Sequence, residues 1–282
     1  MKKILFAIIS LLFVVTACDK MEGPHYVADD TIVVDVDFPA LDASSVYRKI
    51  LVEEYTGHLC TSCPQAHDKL KNILAERGDS LVAMCIHAGS LARTNLEFTT
   101  DYTTLAGNQL HADFGISTVP AAVINRTKYQ NQWNVGADLW ANAINAMDRS
   151  RVPAALQVIN EYNDSYQRLR TYVKTTMLEN YDESLSLSIF MIEEGLISLQ
   201  LLNGSVKDTA YNHKHVLRTG INGTYGKPLL LEGDLLKDST YAVGYEVRFA
   251  GKIWKPENCY IIAVLHNPAT KEVVQVEKCA VR

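Results

Sequence analysis

Two cysteines separated by two residues, in Cys60-Thr-Ser-Cys63, are the side chains of this chain best placed to do chemistry. A pair at this spacing can make and break a short-loop disulfide, and the reacting species in such exchange is the thiolate. Pro64 and the apolar positions Ala66, Leu70, Ile73 and Leu74 predict a helix beginning at Cys63. Unsatisfied backbone N–H groups and the macrodipole at that helix end favour negative charge, so Cys60 is the expected nucleophile and Cys63 the resolving thiol. Two other uses of the pair are open at the level of sequence: a purely structural disulfide, or part of a zinc site with His67 and Cys85. Beyond that alternative, nothing in the sequence points to a cofactor or a bound metal.

The elements that must hold the pair lie on either side of it. Ile50-Leu-Val-Glu-Glu-Tyr55 is a predicted buried strand leading into the first cysteine. On its two-residue period Glu54 shares a side with Val52, while Glu53 shares the other with Leu51 and Tyr55, and one of these acids is expected to be solvated. Predicted strands over 49–55, 81–87 and 121–125 alternate with helices over 63–76 and 137–149 and with helical material in 90–113, an α/β layer pattern. After Pro153 the chain turns to short runs rich in Val, Ile, Leu, Thr and Tyr, over roughly 154–162, 168–177, 185–193, 211–218, 241–249, 258–266 and 272–281. Seven such runs with turn residues between them predict an all-β, Ig-like sandwich.

The first residues set the compartment. Met1-Lys-Lys is followed by an apolar run from Ile4 to Val15, flanked like a secretory signal and short for a membrane span. Val15-Thr-Ala-Cys18 resembles the lipobox of bacterial lipoproteins, which implies cleavage before Cys18 and acylation of that cysteine. The expected organisation is a signal peptide over 1–17, a lipidated tether over 18–46, an α/β domain over 47–150 and a β-sandwich over 151–282. With 48% hydrophobic and 21% charged residues the chain is ordinary globular material, and its net charge of −5 gives no electrostatic basis for binding nucleic acid.

Asn267-Pro-Ala-Thr270 reads as a turn, and a hairpin centred near Pro268 and Ala269 would bring Cys259 and Cys279 opposite one another, where a structural disulfide is expected. Cys85 is expected to be a core residue. His58 and His87 are expected to be loop histidines near the pair, and His213 with His215 an exposed turn pair.

The segment 47–150 resembles thioredoxin. Besides the cysteine pair at a strand-to-helix junction, Leu110-His-Ala-Asp-Phe-Gly-Ile-Ser-Thr-Val-Pro-Ala121 is similar to the family segment that leads into a cis-proline strand. The resemblance implies that Pro120 is the cis residue beside the cysteines, and that Glu54, six positions before Cys60, is the buried acid that assists the resolving thiol. Leu59 replaces the usual tryptophan, and the 57 positions from Cys63 to Pro120 exceed the family's compact form. Val52-Glu-Glu-Tyr-Thr-Gly-His-Leu-Cys-Thr-Ser-Cys-Pro64, Ile86-His-Ala-Gly89, His215-Val-Leu-Arg-Thr-Gly220 and the terminal hairpin resemble Bacteroidetes lipoproteins related to the 28-kDa outer membrane protein. That resemblance implies a lipid anchor, a thioredoxin-like domain, a C-terminal β domain and an outer-membrane location.

Two functions follow as expectations. One is thiol–disulfide exchange on envelope proteins, with partner thiols or disulfides as substrates and the membrane reached through Cys18. The other is a non-catalytic binding or assembly lipoprotein, an adhesin or a subunit of an outer-membrane protein complex, acting through the β domain.

Overall fold

The structure, a computed structural model, describes residues 32–282; the leader and Cys18 lie outside the described residues. The chain runs β1 (Ile50–Thr56), α1 (Cys63–Arg77), β2 (Leu81–His87), α2 (Leu105–Asp113), β3 (Ala121–Ile124), β4 (Val135–Gly136) and α3 (Trp140–Asn145). It continues through β5 (Ala154–Asn163), β6 (Arg168–Met177), β7 (Ser186–Glu193), β8 (Leu196–Leu202), β9 (Val206–His213), β10 (Val216–Gly220), β11 (Lys227–Pro228), β12 (Thr240–Arg248), β13 (Cys259–His266) and β14 (Val273–Ala280).

Among the described residues the strands form three sheets: a mixed nine-stranded sheet in the order β14-β13-β7-β10-β2-β1-β3-β4 with β11 added to β7, a β12-β6-β5 sheet, and a separate β8–β9 hairpin. β1 and β2 are parallel and buried along their whole length, β1 even at Glu53 and Glu54 in its middle. β10 then joins β2 to β7, so strands from the second half of the chain continue the sheet begun by the first half. The boundary expected near residue 150 therefore divides the chain but not the sheet.

Alternation along these strands sorts the core. Leu51, Tyr55, Ile86, Phe190, Ile192, Ile262 and Val264 point to one face, where Leu110 of α2 and Phe114, which caps that helix, pack on them. On the opposite face, Ala66 and Leu70 of α1 and Trp140 of α3 cover Ile50, Val52 and Ala83. Further along that face, Leu156, Val173 and Val243 of the three-stranded sheet cover Ile189, Met191, Ile261 and Ala263, which makes the sandwich. The large sheet curls until its far edge returns to its beginning: Val273 N donates to Asn125 O at 3.0 Å, Asn125 Nδ2 to Val273 O at 2.8 Å, and Lys49 N to the Gln275 side chain at 3.0 Å.

Several sequence expectations are corrected here. Residues 32–46 are not a free tether: Ile32 bridges Gly244, Tyr172 donates to Asp35 and Gln157 to the Pro39 carbonyl, laying the segment along the three-stranded sheet. The predicted strand over 211–218 breaks at His215, whose φ of 54° ends β9 and starts β10. Cys259 and Cys279 are not bridged. An irregularity at Leu265/His266 shifts the hairpin so that Cys279 faces Ile261 and Val281 meets Cys259. That leaves the two cysteines diagonal neighbours, at a typical separation of about 7–8 Å, longer than a disulfide spans.

Candidate functional site

The turn between β1 and α1 delivers the cysteine pair to the helix N-terminus. Cys63 is the first residue of α1, Pro64 follows within the first turn where its missing N–H is not needed, and Gly78 ends the helix. The loop approaching Cys60 is held tightly: Leu59 N donates to Leu91 O at 2.9 Å and Cys60 N to Gly57 O at 3.0 Å. A Cβ on Gly57 would lie 2.4 Å from the Leu91 carbonyl oxygen, so only glycine permits this approach.

Cys60 and Cys63 form a disulfide with their Cα atoms 5.4 Å apart. The Val119–Pro120 peptide is cis, and Cys60 Sγ lies 3.8 Å from the Val119 carbonyl oxygen and 3.7 Å from Ser62 Oγ. Cys63 is fully enclosed and Cys60 only 2% exposed, so the sulfurs are covered in this state. With these two cysteines bonded to each other, no group of three His, Cys, Asp or Glu side chains is arranged to hold a metal ion among the described residues.

Both acids of β1 are fully buried, against the expectation that one is solvated. Glu53 is gripped by Arg126, with Nε at 3.1 Å from both carboxylate oxygens and Nη2 at 2.7 Å from one. Glu54, on the α1 face with Val52, receives the Cys85 thiol at 3.1 Å on Oε2 and has His67 Nε2 3.2 Å from Oε1. Burial pushes the Glu54 carboxyl up, while His67, the Cys85 hydrogen bond and His215 pull it part of the way back. The Cys85 thiol is held well above its ordinary value by burial and by the charge and hydrogen bond of Glu54, so it stays protonated and donates. Cys85 is buried as expected of a core residue, yet it also serves this acid.

The β8–β9 hairpin is the element that sequence reading missed, and it folds over the site. Leu201 N donates to His58 O at 2.8 Å and Gln200 Nε2 to Cys60 O at 3.0 Å. Tyr211 of β9 meets His67 Nδ1 at 2.6 Å, and Lys207 pairs with Glu97. The runs Leu196–Leu202 and Val206–His213 carry the alternation of a hairpin, but Asp208 and Asn212 inside the second mask it.

His58 keeps its expected place in the loop beside the pair, and the other three histidines depart from theirs. His87 and His213 are buried beside Tyr102, with ring centroids 5.0–5.6 Å apart within the trio. Burial, then neighbouring histidines, lowers His213 to about 3 and His87 well below its ordinary value. His215 instead pairs with Glu194 at 2.5 Å, so it and His213 do not form a pair. His58 caps the loop by donating to Arg93 O at 2.9 Å and stacks on Phe98. Between α1 and the strand ends lies a cleft of about 510 Å³ whose wall includes Glu54, His67, Cys85, Tyr211 and His215.

The family model for outer membrane protein Omp28 matches residues 107–282, from within α2 to the end of the chain. The chain belongs to the Omp28 family. Omp28 membership places it in the outer membrane of the cell envelope, and the matched span holds the cis proline and β3 to β14, while β1, β2, Cys60 and Cys63 precede it. Among solved structures, HBP35 of Porphyromonas gingivalis superposes with a TM-score of 0.64 at 14% identity, over 84% of this chain and 76% of that one, a likeness of fold. A crystal structure of a domain of the outer membrane lipoprotein Omp28 from Porphyromonas gingivalis matches at 22% identity, covering 46% of this chain and 89% of that one with a TM-score of 0.31. No curated protein matches.

Proposed function

We propose that this Omp28-family protein is an outer-membrane lipoprotein, anchored through Cys18, that carries out thiol–disulfide exchange on envelope proteins at Cys60–Cys63 in a thioredoxin-like half-sheet. The observation that carries this reading is the disulfide at the α1 N-terminus with Cys60 Sγ against the Val119 carbonyl beside Pro120. In the reduced protein the helix end and the Ser62 hydroxyl favour the Cys60 thiolate. The Val119 backbone offers a polar edge to an extended partner segment, next to a cleft of about 220 Å³ lined by Gly89, His111 and Thr118.

In exchange with a partner disulfide, the Cys60 thiolate attacks one partner sulfur and forms a mixed disulfide, releasing the other partner sulfur as thiolate. Cys63 gives its proton to Glu54 and attacks Cys60 Sγ, which closes the Cys60–Cys63 bond and releases the second partner sulfur as thiolate, and both partner thiolates take protons from water. The partner gains the two electrons the cysteine pair loses, and the reverse sequence oxidises a partner dithiol.

A second reading, a binding or assembly protein with a structural disulfide, is favoured by the enclosure of Cys60 beneath the β8–β9 hairpin. Glutathione equilibration separates the two. A reversible couple between about −120 and −270 mV with selective alkylation of Cys60 supports exchange, and a pair locked below about −300 mV supports the structural role.

A further inference from the structure

Glu54 is fully buried at the base of the 510 Å³ cleft, and His67 lines the same cleft with Nε2 facing Glu54 Oε1. The ring sits one helical turn beyond Cys63 with each nitrogen committed: Nε2 is 3.2 Å from Glu54 Oε1 and 3.1 Å from Thr56 Oγ1, and Nδ1 is 2.6 Å from the Tyr211 hydroxyl. Tyr211 comes from the hairpin and lines the cleft.

We propose that His67 is a positioning residue for the exchange reaction, passing protons between Glu54 and the cleft while Cys63 resolves the mixed disulfide, with Tyr211 fixing its ring. This inference rests on the exchange proposed above. Burial favours a proton on Glu54, and that proton must leave through His67 before the carboxylate can take the one from Cys63, so resolution itself waits on the relay. A protonated Glu54 donates to Nε2, the ring releases a proton from Nδ1 toward the Tyr211 hydroxyl and the cleft, and reduction of the disulfide runs the same path backwards. Cys85 occupies the other carboxylate oxygen as a donor that stays protonated, which leaves Oε1 free for His67. The groups facing this path are Cys85 and His87 from β2, Asp68 and Lys71 from α1, Tyr211, Asp208 and His213 from β9, and Lys214, His215 and Glu194 from the turns after β9 and β7.

The test uses the full chain in detergent, reduced and then mixed with oxidised glutathione. Quenched-flow mass spectrometry follows decay of the Cys60–glutathione mixed disulfide from pH 5 to pH 9 in the wild type and in His67→Gln, which keeps hydrogen bonding but cannot relay a proton. We expect resolution in His67→Gln to be at least about tenfold slower near neutral pH and to climb with pH as hydroxide replaces the relay, while iodoacetamide alkylates Cys60 at the wild-type rate. Tyr211→Phe, which deletes one hydroxyl, is expected to give a smaller shift of the same sign, and it decides the matter if His67→Gln proves misfolded by circular dichroism. Wild-type rates and pH profile in the folded variants, alongside an active wild type, overturn the role of His67. A wild type that forms no mixed disulfide overturns the exchange reading itself.

Discussion

Glu53 and Glu54 are consecutive on β1 and equally buried, yet the two sides of the strand treat them in opposite ways. On the side where the sheet curls over itself, Glu53 is locked by a forked guanidinium that is itself fully buried, and His266 there is bonded to Ser188 Oγ and the Tyr225 carbonyl, each at 3.1 Å. On the side of the disulfide, Glu54 has a thiol and an imidazole for partners, and neither ring nitrogen of His87 has a hydrogen-bond partner among the described residues. On one side the acid is fixed by a charged fork, although Arg126 Nη1 and the Tyr55 hydroxyl beside it have no partner among the described residues; on the other the acid meets a thiol and an imidazole. Burial alone therefore does not distinguish the two acids, whereas the chemistry of their partners does.

The largest effect should come from breaking the fixed side. Arg126→Met leaves Glu53 buried and unpaired, and loss of one partner of such a pair costs about 3–5 kcal/mol, to be read from urea unfolding. Glu54→Gln should do the reverse. The ionised carboxylate is disfavoured by burial, so its pKa is raised in the folded state, and stability rises as pH falls through the folded value toward the ordinary 4.5. At neutral pH the glutamine variant is thus expected to unfold no earlier than wild type, while mixed-disulfide resolution slows by about 10²-fold. A variant as fragile as Arg126→Met would erase the distinction between the two sides.

Histidine substitutions sharpen the same contrast. His266→Phe strands the Tyr225 carbonyl, while Ser188 Oγ keeps its bond to Thr224 O, and should cost about 1–3 kcal/mol, whereas His87→Phe removes an unpaired imidazole and should be neutral or stabilising. Through their histidines acid should weaken both sides, against the opposite contribution of Glu54. Folded-state values are depressed to about 3 for His213 and about 4 for His266, so their contribution is complete above the ordinary 6.5 and is lost as pH falls from there toward those values. Each histidine adds a slope of about 1.4 kcal/mol per pH unit in that window, measurable as the fall in unfolding free energy between pH 6.5 and 4.5.

The chemistry was legible where it is local. The spacing of Cys60 and Cys63, the proline inside the first turn and the two-residue period that separates Glu53 from Glu54 all act within one or two elements. Arg126 was not legible as the partner of Glu53, because it lies 73 positions away in a two-residue turn where Asn125 and Arg126 both have positive φ, at 52° and 50°. Nor could strand composition reveal that β7, β10 and β13 extend the sheet of β1 and β2, since buried strands read alike whichever sheet they join. The Cys259–Cys279 expectation failed on a register shift that a turn signal alone does not encode.

The smallest expected effect tests whether the hairpin belongs to the working side. Gln200→Ala deletes the bond to Cys60 O but leaves the Leu201 N to His58 O bond in place, so stability should drop by only about 1 kcal/mol. Reduction of Cys60–Cys63 by a protein dithiol should then quicken a few-fold more than reduction by a small phosphine, because a bulky partner gains most when a cover loosens. Equal acceleration for both reductants would mean that Gln200 acts on the disulfide itself and not on access to it. No acceleration for either would place the hairpin with the fixed side of the molecule, as part of the fold that carries the site.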